Sequence, residues 1–291
     1  MGQAIEKKDK IKDRLIVLPL QPEKGSAYDG IGLGVHFLLG NVVAPHTGLK
    51  EFWFGWRVKK IFLKKENLTV YCRGNGPELD IAKLGKEQGV RYWLWGNVQQ
   101  QGSKIRTSLV LTDTKGEGEE WKTDLVLDPA DQLIEFRKGF LAWLDTCSLS
   151  FPDEQVAKAL WPEKTTLKSL DLLGRDLKTY YLHSSWGDTT PLDSELFDSS
   201  VSAALSSYLA HDLKGWVLYK NKDYQSAEES FGSAVKINPT GLGAISGLMW
   251  CAVYTHDKEK AEKWAIAKAD IRGESREKAR ADVKKRMEKA L

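Results

Sequence analysis

The residues whose type and spacing most suggest a binding function form a glycine cluster, Gly30-Ile-Gly-Leu-Gly34. This cluster follows an apolar strand and opens a helix. A glycine-rich turn in that place can bring backbone N–H groups against a phosphate, as in dinucleotide-binding domains. The spacing departs from that motif because Val35 stands where its third glycine belongs. We therefore interpret the cluster as a turn and helix start. A small-ligand or nucleotide-sensing regulatory module that uses the Asp29–Gly34 loop is the alternative.

No other set of side chains has the spacing of a catalytic or metal site. Cys72, Cys147 and Cys251 form no CxxC pair, and the five histidines show neither HxH nor HxxxH spacing. The acidic run Glu117-Gly-Glu-Glu120 falls at the tip of a predicted hairpin, where carboxylates are solvated. We therefore expect a protein that is not an enzyme and that holds neither a cofactor nor a metal.

The charge balance argues against a nucleic-acid partner. The 291 residues include 43 Lys+Arg and 40 Asp+Glu, for a formal charge of +3, and nucleic-acid-binding proteins usually carry a stronger basic excess. Charge is uneven at the C-terminus, where the segment 272–291 has eight basic and four acidic residues. Because both signs of charge are mixed there, a solvated helix is favoured over a contact with an anionic partner.

The distribution of apolar residues predicts a soluble chain with a packed core. Hydrophobic residues make up 42% of the sequence. The N-terminal residues are charged, and no apolar stretch approaches the ~18 residues that span a bilayer. The expected location is the cytoplasm, without direct membrane insertion. The alternative is a periplasmic or cell-envelope accessory protein whose signal peptide has been removed.

The first half of the chain alternates strand and helix patterns. Short apolar or period-2 segments predict strands, and apolar residues at helical spacing predict helices. In chain order they give β-α-β-α-β-β-β-α, which is typical of a compact α/β domain with a mixed sheet. The predicted elements are 14–20, 31–43, 49–63, 80–89, 90–98, 105–112, 121–127 and 128–144.

The second half is predicted to be all-α. Residues 1–13 form a charged leader, 14–145 the α/β domain, and 146–165 a linker that contains two prolines. In 166–291 every periodic segment is helical, which predicts a separate C-terminal helical domain.

Five segments of the α/β domain carry a resemblance to a known family. They are Leu15-Ile-Val-Leu-Pro19, Tyr28-Asp-Gly30, Asp80 to Tyr92, Gly96-Asn-Val98 and Ile105 to Asp113. The pattern resembles the TolB N-terminal domain family, in the divergent form found in bacterial regulators. There the domain often precedes tetratricopeptide repeats or accompanies adenylate cyclase and kinase modules. Trp93 and Trp95 depart from the family, which usually has a small apolar and then a polar residue at these positions.

Residues 208–241 resemble a tetratricopeptide repeat, a helix pair of about 34 residues. Pro239 matches the final proline of the repeat, and Gly215 matches the small residue of its first helix. The other interlocking positions are Leu218, Tyr224, Ala227, Phe231 and Ala234. A second, degenerate repeat begins near Leu242, and the helices at 167–208 are candidates for a further degenerate pair.

The 11 tryptophans include several that suit contact with another protein. Trp93 and Trp95 lie on one face of a strand, opposite Tyr92 and Leu94. That face is either covered by a neighbouring element or open to a partner, and tryptophan is enriched in partner contacts. Trp53 adds to such a patch if its strand is adjacent.

The tetratricopeptide resemblance supplies a second candidate surface. Its ligand-facing positions map to Leu209, Asp212, Trp216 and Tyr219. Two neighbouring aromatic residues there suit a peptide or helix from a partner, and the alternative is that another helix of this chain fills the groove. We therefore predict a non-enzymatic scaffold or accessory subunit of a larger bacterial assembly. Other proteins are its expected partners, and a homo-oligomer remains an option.

Overall fold

The computed structural model describes most of the chain, with gaps. The described residues are 12–23, 28–45, 49, 51–54, 79–115, 118–128, 130, 133–147, 149, 166–185, 192–204 and 207–290. Most of the predicted leader and linker, and Cys72, lie outside them. The predicted strand 49–63 is described only in part.

Six strands of the described chain form one mixed sheet. They are β1 (Lys12–Val17), β2 (Gln21–Pro22), β3 (Glu51–Phe54), β4 (Val90–Gln101), β5 (Lys104–Asp113) and β6 (Glu119–Leu127). The strand order is β3-β1-β4-β5-β6, and β2 also pairs with β4. β1 runs parallel to β3 and β4, whereas β4, β5 and β6 form an antiparallel meander.

Helices cover both faces of the sheet and make up the rest of the described chain. They are α1 (Ile31–Val43), α2 (Ile81–Gln88), α3 (Ile134–Thr146), α4 (Leu167–Ser185), a 3-10 helix (Ser194–Phe197), α5 (Asp198–Ala203), α6 (Tyr208–Lys220), α7 (Tyr224–Ile237), α8 (Leu242–Tyr254), α9 (Lys258–Arg272) and α10 (Arg276–Ala290). The predicted layout of a mixed sheet with helices, followed by an all-helical region, is confirmed. None of the described helices combines the length and the apolar character needed to cross a membrane.

Alternation along β4 separates two apolar clusters. Tyr92 and Leu94 belong to the large core that contains residues of α1 and α3. Trp93 belongs to a smaller cluster with Ile81, on the side of α2. Because successive strand residues point to opposite faces, this register fixes which tryptophans lie under α2.

Local signals explain where α2 begins and ends. The Asp80 side chain accepts a hydrogen bond from the Lys83 N–H at 2.9 Å, which caps the first turn. Gly89 has a φ of 64°, a left-handed conformation that glycine adopts without strain. The prediction was less accurate for α3, which begins at Ile134 rather than near 128.

Glycines bring α1 and α4 into close contact. A Cβ atom on Gly174 would lie 1.7 Å from the Gly30 carbonyl oxygen, and one on Gly34 would lie 2.1 Å from the Leu170 carbonyl oxygen. The helix backbones therefore touch where they cross. As a result α4, which the sequence places in the helical region, packs directly on the first helix of the sheet region.

Candidate functional site

Phe231 organises the helices that form the candidate site. It is completely buried. A Cβ atom on Gly215 of α6 would lie 2.5 Å from its ring, and one on Gly247 of α8 would lie 2.3 Å from it. The absence of side chains at the two glycines therefore lets α6, α7 and α8 close around one aromatic ring.

Two of the four predicted ligand-facing residues of α6 are buried. Leu209 is 2% exposed and Asp212 is 1% exposed. The N-terminal end of α8 has no cap from its own side chains, and a Cβ atom on Gly243 would lie 2.5 Å from Asp212 Oδ2. The nearby Tyr208 hydroxyl accepts a hydrogen bond from the Ala244 N–H at 3.2 Å. Tyr208 and Asp212 thus pack against the start of α8.

The other two predicted residues begin a row of ring contacts that extends to α8. Trp216 and Tyr219 have ring centroids 5.5 Å apart, and Tyr219 and Tyr224 are 5.7 Å apart. Tyr224 stacks on Tyr254 at 5.4 Å, and Tyr254 lies 6.2 Å from Trp250. Tyr254 is 41% exposed, whereas the other four are half-buried. We call these five residues the aromatic row.

Burial and neighbouring phenol groups influence the acid–base state of this row. The pKa of Tyr219 is raised, first by burial and then by the nearby Tyr254. The pKa of Tyr224 is also raised, chiefly by burial. Tyr219 and Tyr224 are therefore uncharged at neutral pH, and the row offers apolar ring surface with hydroxyl groups that can donate hydrogen bonds.

A cleft of about 430 Å³ lies beside the aromatic row. Trp216, Ser246 and Trp250 line one side, and residues of α1 and α4, including Phe37 and Tyr180, line the other. The sequence left open whether a partner or another helix of this chain occupies the groove. In the structure α1 and α4 narrow the groove and leave a cleft between them and α8.

A second cavity of about 420 Å³ adjoins the cleft against α10, and both cavities are lined by Trp250, Asp282 and Arg286. Its lining includes Tyr254, the basic residues Lys285, Arg286 and Lys289, and a single acidic residue, Asp282, among the described residues. The Arg286 guanidinium lies 4.6 Å from the centroid of the Trp250 ring, a cation–π distance. This end of the cleft is therefore positively charged and aromatic. We call the two cavities together the α8–α10 cleft.

Trp93 does not lie on an open surface. It is 0% exposed, packs in the cluster with Ile16 and Ile81, and its Nε1–H donates to the Val90 carbonyl at 3.3 Å. The sequence left two options for Trp93, a covered face or a face open to a partner. The structure shows that Trp93 is buried under a neighbouring element. Trp95 is half-buried and donates to Thr112 Oγ1 at 3.0 Å, and the side chain of Trp53 lies outside the described residues.

Groups of α4 occupy the loop that the nucleotide alternative would use. The Gly30 N–H donates to Asp171 Oδ1 at 2.8 Å. Arg175 forms ion pairs with Asp171 at 2.9 Å and with Asp29 at 2.8 Å. A carboxylate of the chain itself thus lies where the start of α1 would meet a phosphate, so this loop lends no support to nucleotide binding.

The described residues contain no group of three or more His, Cys, Asp or Glu side chains that could hold a metal ion. Burial raises the pKa of the Cys147 thiol to about 11 and that of Cys251 to about 12. Both thiols are protonated at neutral pH, and a protonated thiol is a poor nucleophile. These features provide no argument for a metal-dependent or thiol-based activity, so the cleft is the candidate site that remains.

Sequence reasoning missed Trp250, Tyr254 and the basic residues of α10. A signal for Trp250 was present, because it follows Trp216 by the 34 residues of one tetratricopeptide repeat. The sequence shows that 272–291 is basic, but not that Lys285, Arg286 and Lys289 line one cavity together with Trp250 and Tyr254.

Neither the models of known protein families nor the curated proteins match this chain. The resemblances to the TolB N-terminal domain and to tetratricopeptide repeats therefore remain predictions from the residues. The geometry of the α8–α10 cleft is the basis for a functional proposal.

Proposed function

We propose that this protein is a non-enzymatic scaffold or accessory subunit of a larger bacterial assembly, and that it holds a segment of another protein in the α8–α10 cleft. The observation that carries the proposal is that Trp216, Trp250 and Tyr254 of the aromatic row line two adjoining cavities together with the basic helix α10. We also infer that α6–α7 and α8–α9 are tetratricopeptide-like repeats and that the sheet region is a TolB N-terminal-like domain.

Packing in the helical region supports the repeat assignment. Ala227, Phe231 and Ala234, three of the predicted interlocking positions, are completely buried. Only residues 221–223 join α6 to α7, and the Ser230 hydroxyl near the middle of α7 donates to the His211 carbonyl near the start of α6 at 2.9 Å, so the two helices run antiparallel. In such a pair the first helices of successive repeats line a concave surface, which here comprises α6, α8 and α10.

The chemistry of the cleft defines the partner segment. Half-buried tryptophan and tyrosine side chains supply most of the binding energy in many interfaces, because they bury large apolar areas at a low entropic cost. The cations of α10 attract opposite charge and select against basic partners. The expected occupant is an acidic peptide segment with one or two apolar anchor residues.

The test compares two synthetic peptides with the same apolar anchors, one with glutamate and one with lysine at the intervening positions. Fluorescence anisotropy should detect binding of the acidic peptide and a weakening of that binding as salt increases. Trp250→Ala should reduce its affinity at least about tenfold, the usual effect of losing an anchor side chain.

Lys289→Glu and Lys278→Glu form a matched pair of charge reversals on α10. Only Lys289 lines the cleft, while Lys278 is exposed elsewhere on the helix. Lys289→Glu should weaken binding of the acidic peptide, and Lys278→Glu should leave it nearly unchanged. Equal effects of the two variants, or equal binding of both peptides, would contradict the proposal.

A further inference from the structure

β6 forms one edge of the sheet. It pairs with β5 along its whole length, from Glu119 to Leu127, and no strand of the described chain lies on its other side. An edge strand presents unpaired backbone N–H and C=O groups, which can pair with another strand. β6 is therefore a site where a further strand could add to the sheet.

The two faces of β6 have different chemistry. On the side of α3, Trp121 and Leu125 are half-buried, and a Cβ atom on Gly139 of α3 would lie 2.7 Å from Leu125 Cδ2. The opposite face carries exposed charged residues and Val126, which is 44% exposed. An added strand must therefore offer apolar side chains to one face and matching charges to the other.

A second copy of β6 meets both requirements. Thr123 is the middle of the nine residues of the strand, so an antiparallel copy centred on Thr123 pairs the whole strand with itself. This register places Lys122 opposite the partner's Asp124 and Trp121 opposite the partner's Leu125. Directly opposed residues of an antiparallel pair have their Cβ atoms about 4.5–5.5 Å apart, close enough for these contacts.

The neighbouring registers are less favourable. A pair centred on Lys122 places two lysines opposite each other, and a pair centred on Asp124 places two aspartates opposite each other. Both also leave part of the strand unpaired. The register centred on Thr123 is compatible with either set of outward-pointing backbone groups. Its central pair is a hydrogen-bonded pair in one case and a non-hydrogen-bonded pair in the other, and both kinds occur in antiparallel sheets.

We propose that the protein forms a two-fold symmetric dimer in which β6 pairs with β6 of a second copy and the sheet continues across the interface. The symmetry is closed, since the same strand supplies both halves of the contact. One strand pair buries less area than a standard interface of about 1,600 Å², so a micromolar dissociation constant is expected. This proposal does not depend on the function proposed for the α8–α10 cleft.

Sedimentation velocity between about 1 and 100 µM, a range that brackets a micromolar dissociation constant, should show a monomer–dimer equilibrium for the wild-type protein. Lys122→Asp places two carboxylates opposite each other and Asp124→Lys places two ammonium groups opposite each other, so each variant should be monomeric. An equimolar mixture of the two variants should dimerise, because both opposed pairs between positions 122 and 124 then have opposite charges.

The mixture is the decisive arm because Asp124 also interacts with Arg106 at 2.7 Å within its own chain. Restored dimerisation in the mixture shows that both variants are folded and that the charges meet across the interface. A wild-type protein that stays monomeric over the whole range overturns the proposal, as does a mixture that stays monomeric while each variant retains its wild-type circular dichroism spectrum.

Disulfide formation checks the register. In this dimer the two Thr123 Cα atoms are about 4.5–5.5 Å apart, within the range of a disulfide. Thr123→Cys should therefore form a covalent dimer on oxidation. In Val126→Cys the new thiols lie six strand residues apart, about 20 Å, and should not cross-link. Cross-linking at 126 but not at 123, measured against the oxidised wild-type protein, would overturn the register.

Discussion

His36 is the clearest case of a single residue whose chemistry the fold changes. It is completely buried, its Nε2 lies 2.8 Å from the Tyr181 hydroxyl, and the Phe54 ring approaches it edge-on at 5.0 Å. Burial lowers its pKa to about 3. The imidazole is therefore neutral in the folded protein at neutral pH and joins α1 to α4 through a hydrogen bond.

We predict that the free energy of unfolding falls as the pH decreases below about 6.5, the pKa of histidine in the unfolded chain. Below that pH the unfolded chain takes up a proton that the folded protein does not bind at His36, at a cost of up to about 1.4 kcal/mol per pH unit. Urea unfolding at several pH values between 7.5 and 5 measures this slope. His36→Gln should flatten it.

Asp176 supplies the control because it acts with the opposite sign. Burial raises its pKa to about 6, so the folded protein binds a proton there more readily than the unfolded chain does. Its contribution to stability thus rises as the pH falls from about 6 towards 4. Asp176→Asn should make the wild-type loss of stability steeper. An unchanged slope in His36→Gln would show that His36 does not govern the acid response.

At the scale of elements, local patterns were sufficient to predict a helix or strand whose ends are set by its own residues. The helix 80–89, which Asp80 and Gly89 cap, and the alternation along β4 could be predicted directly from the residues. Contacts between distant segments could not. The sequence predicts a turn and helix start at Gly30 and Gly34, and their contact with α4 requires Gly174, which lies more than a hundred residues away.

The same limit applies to the candidate site. Alternation placed Trp93 and Trp95 on one face of β4, but whether that face is covered depends on Ile81 of α2 packing back onto it. The repeat pattern placed Trp216 beside a groove, and the opposite wall of that groove comes from α1 and α4. Chain segments far apart in sequence therefore decide exposure, and a single sequence carries no direct signal for it.

We predict that Gly215→Ala destabilises the protein by about 1–3 kcal/mol, because a methyl group would lie 2.5 Å from the Phe231 ring and force α6 and α7 apart. Gly232→Ala on α7 is the matched control, since a Cβ atom there has nothing within 4 Å. The control should gain about 0.5–1 kcal/mol from a better helix former. Urea unfolding measures the change in the free energy of unfolding for both variants. Changes of the same sign would contradict the packing of Gly215 against Phe231.

At the scale of the whole molecule, two of the contacts between the described residues of the sheet region and of the helical region bear on the α8–α10 cleft. α1 crosses α4 at the glycines. At the other place Arg272, at the end of α9, reaches the end of α1 and donates from Nη1 to the Ala44 carbonyl at 3.1 Å and from Nη2 to the Leu49 carbonyl. Ala44 and Arg272 both line the first cavity, so these hydrogen bonds connect α9 to the α1 wall of the α8–α10 cleft.

We predict that Arg272→Met lowers the free energy of unfolding by about 2–3 kcal/mol, because hydrogen bonds from a charged donor are lost and two carbonyl groups lose a partner. Arg272 is also only 9% exposed in its side chain, so solvent screens its contacts weakly.

The same substitution at Arg276 removes an ion pair with Asp270 at 2.6 Å from a side chain that is 65% exposed. Solvent screens exposed ion pairs, so Arg276→Met should have a small effect on the free energy of unfolding. Because Arg272 connects α9 to the α1 wall of the cleft, Arg272→Met should also weaken binding of the acidic peptide, whereas Arg276→Met should not. If urea unfolding and peptide anisotropy gave equal changes for the two variants, Arg272 would not be the link between the sheet and the helices.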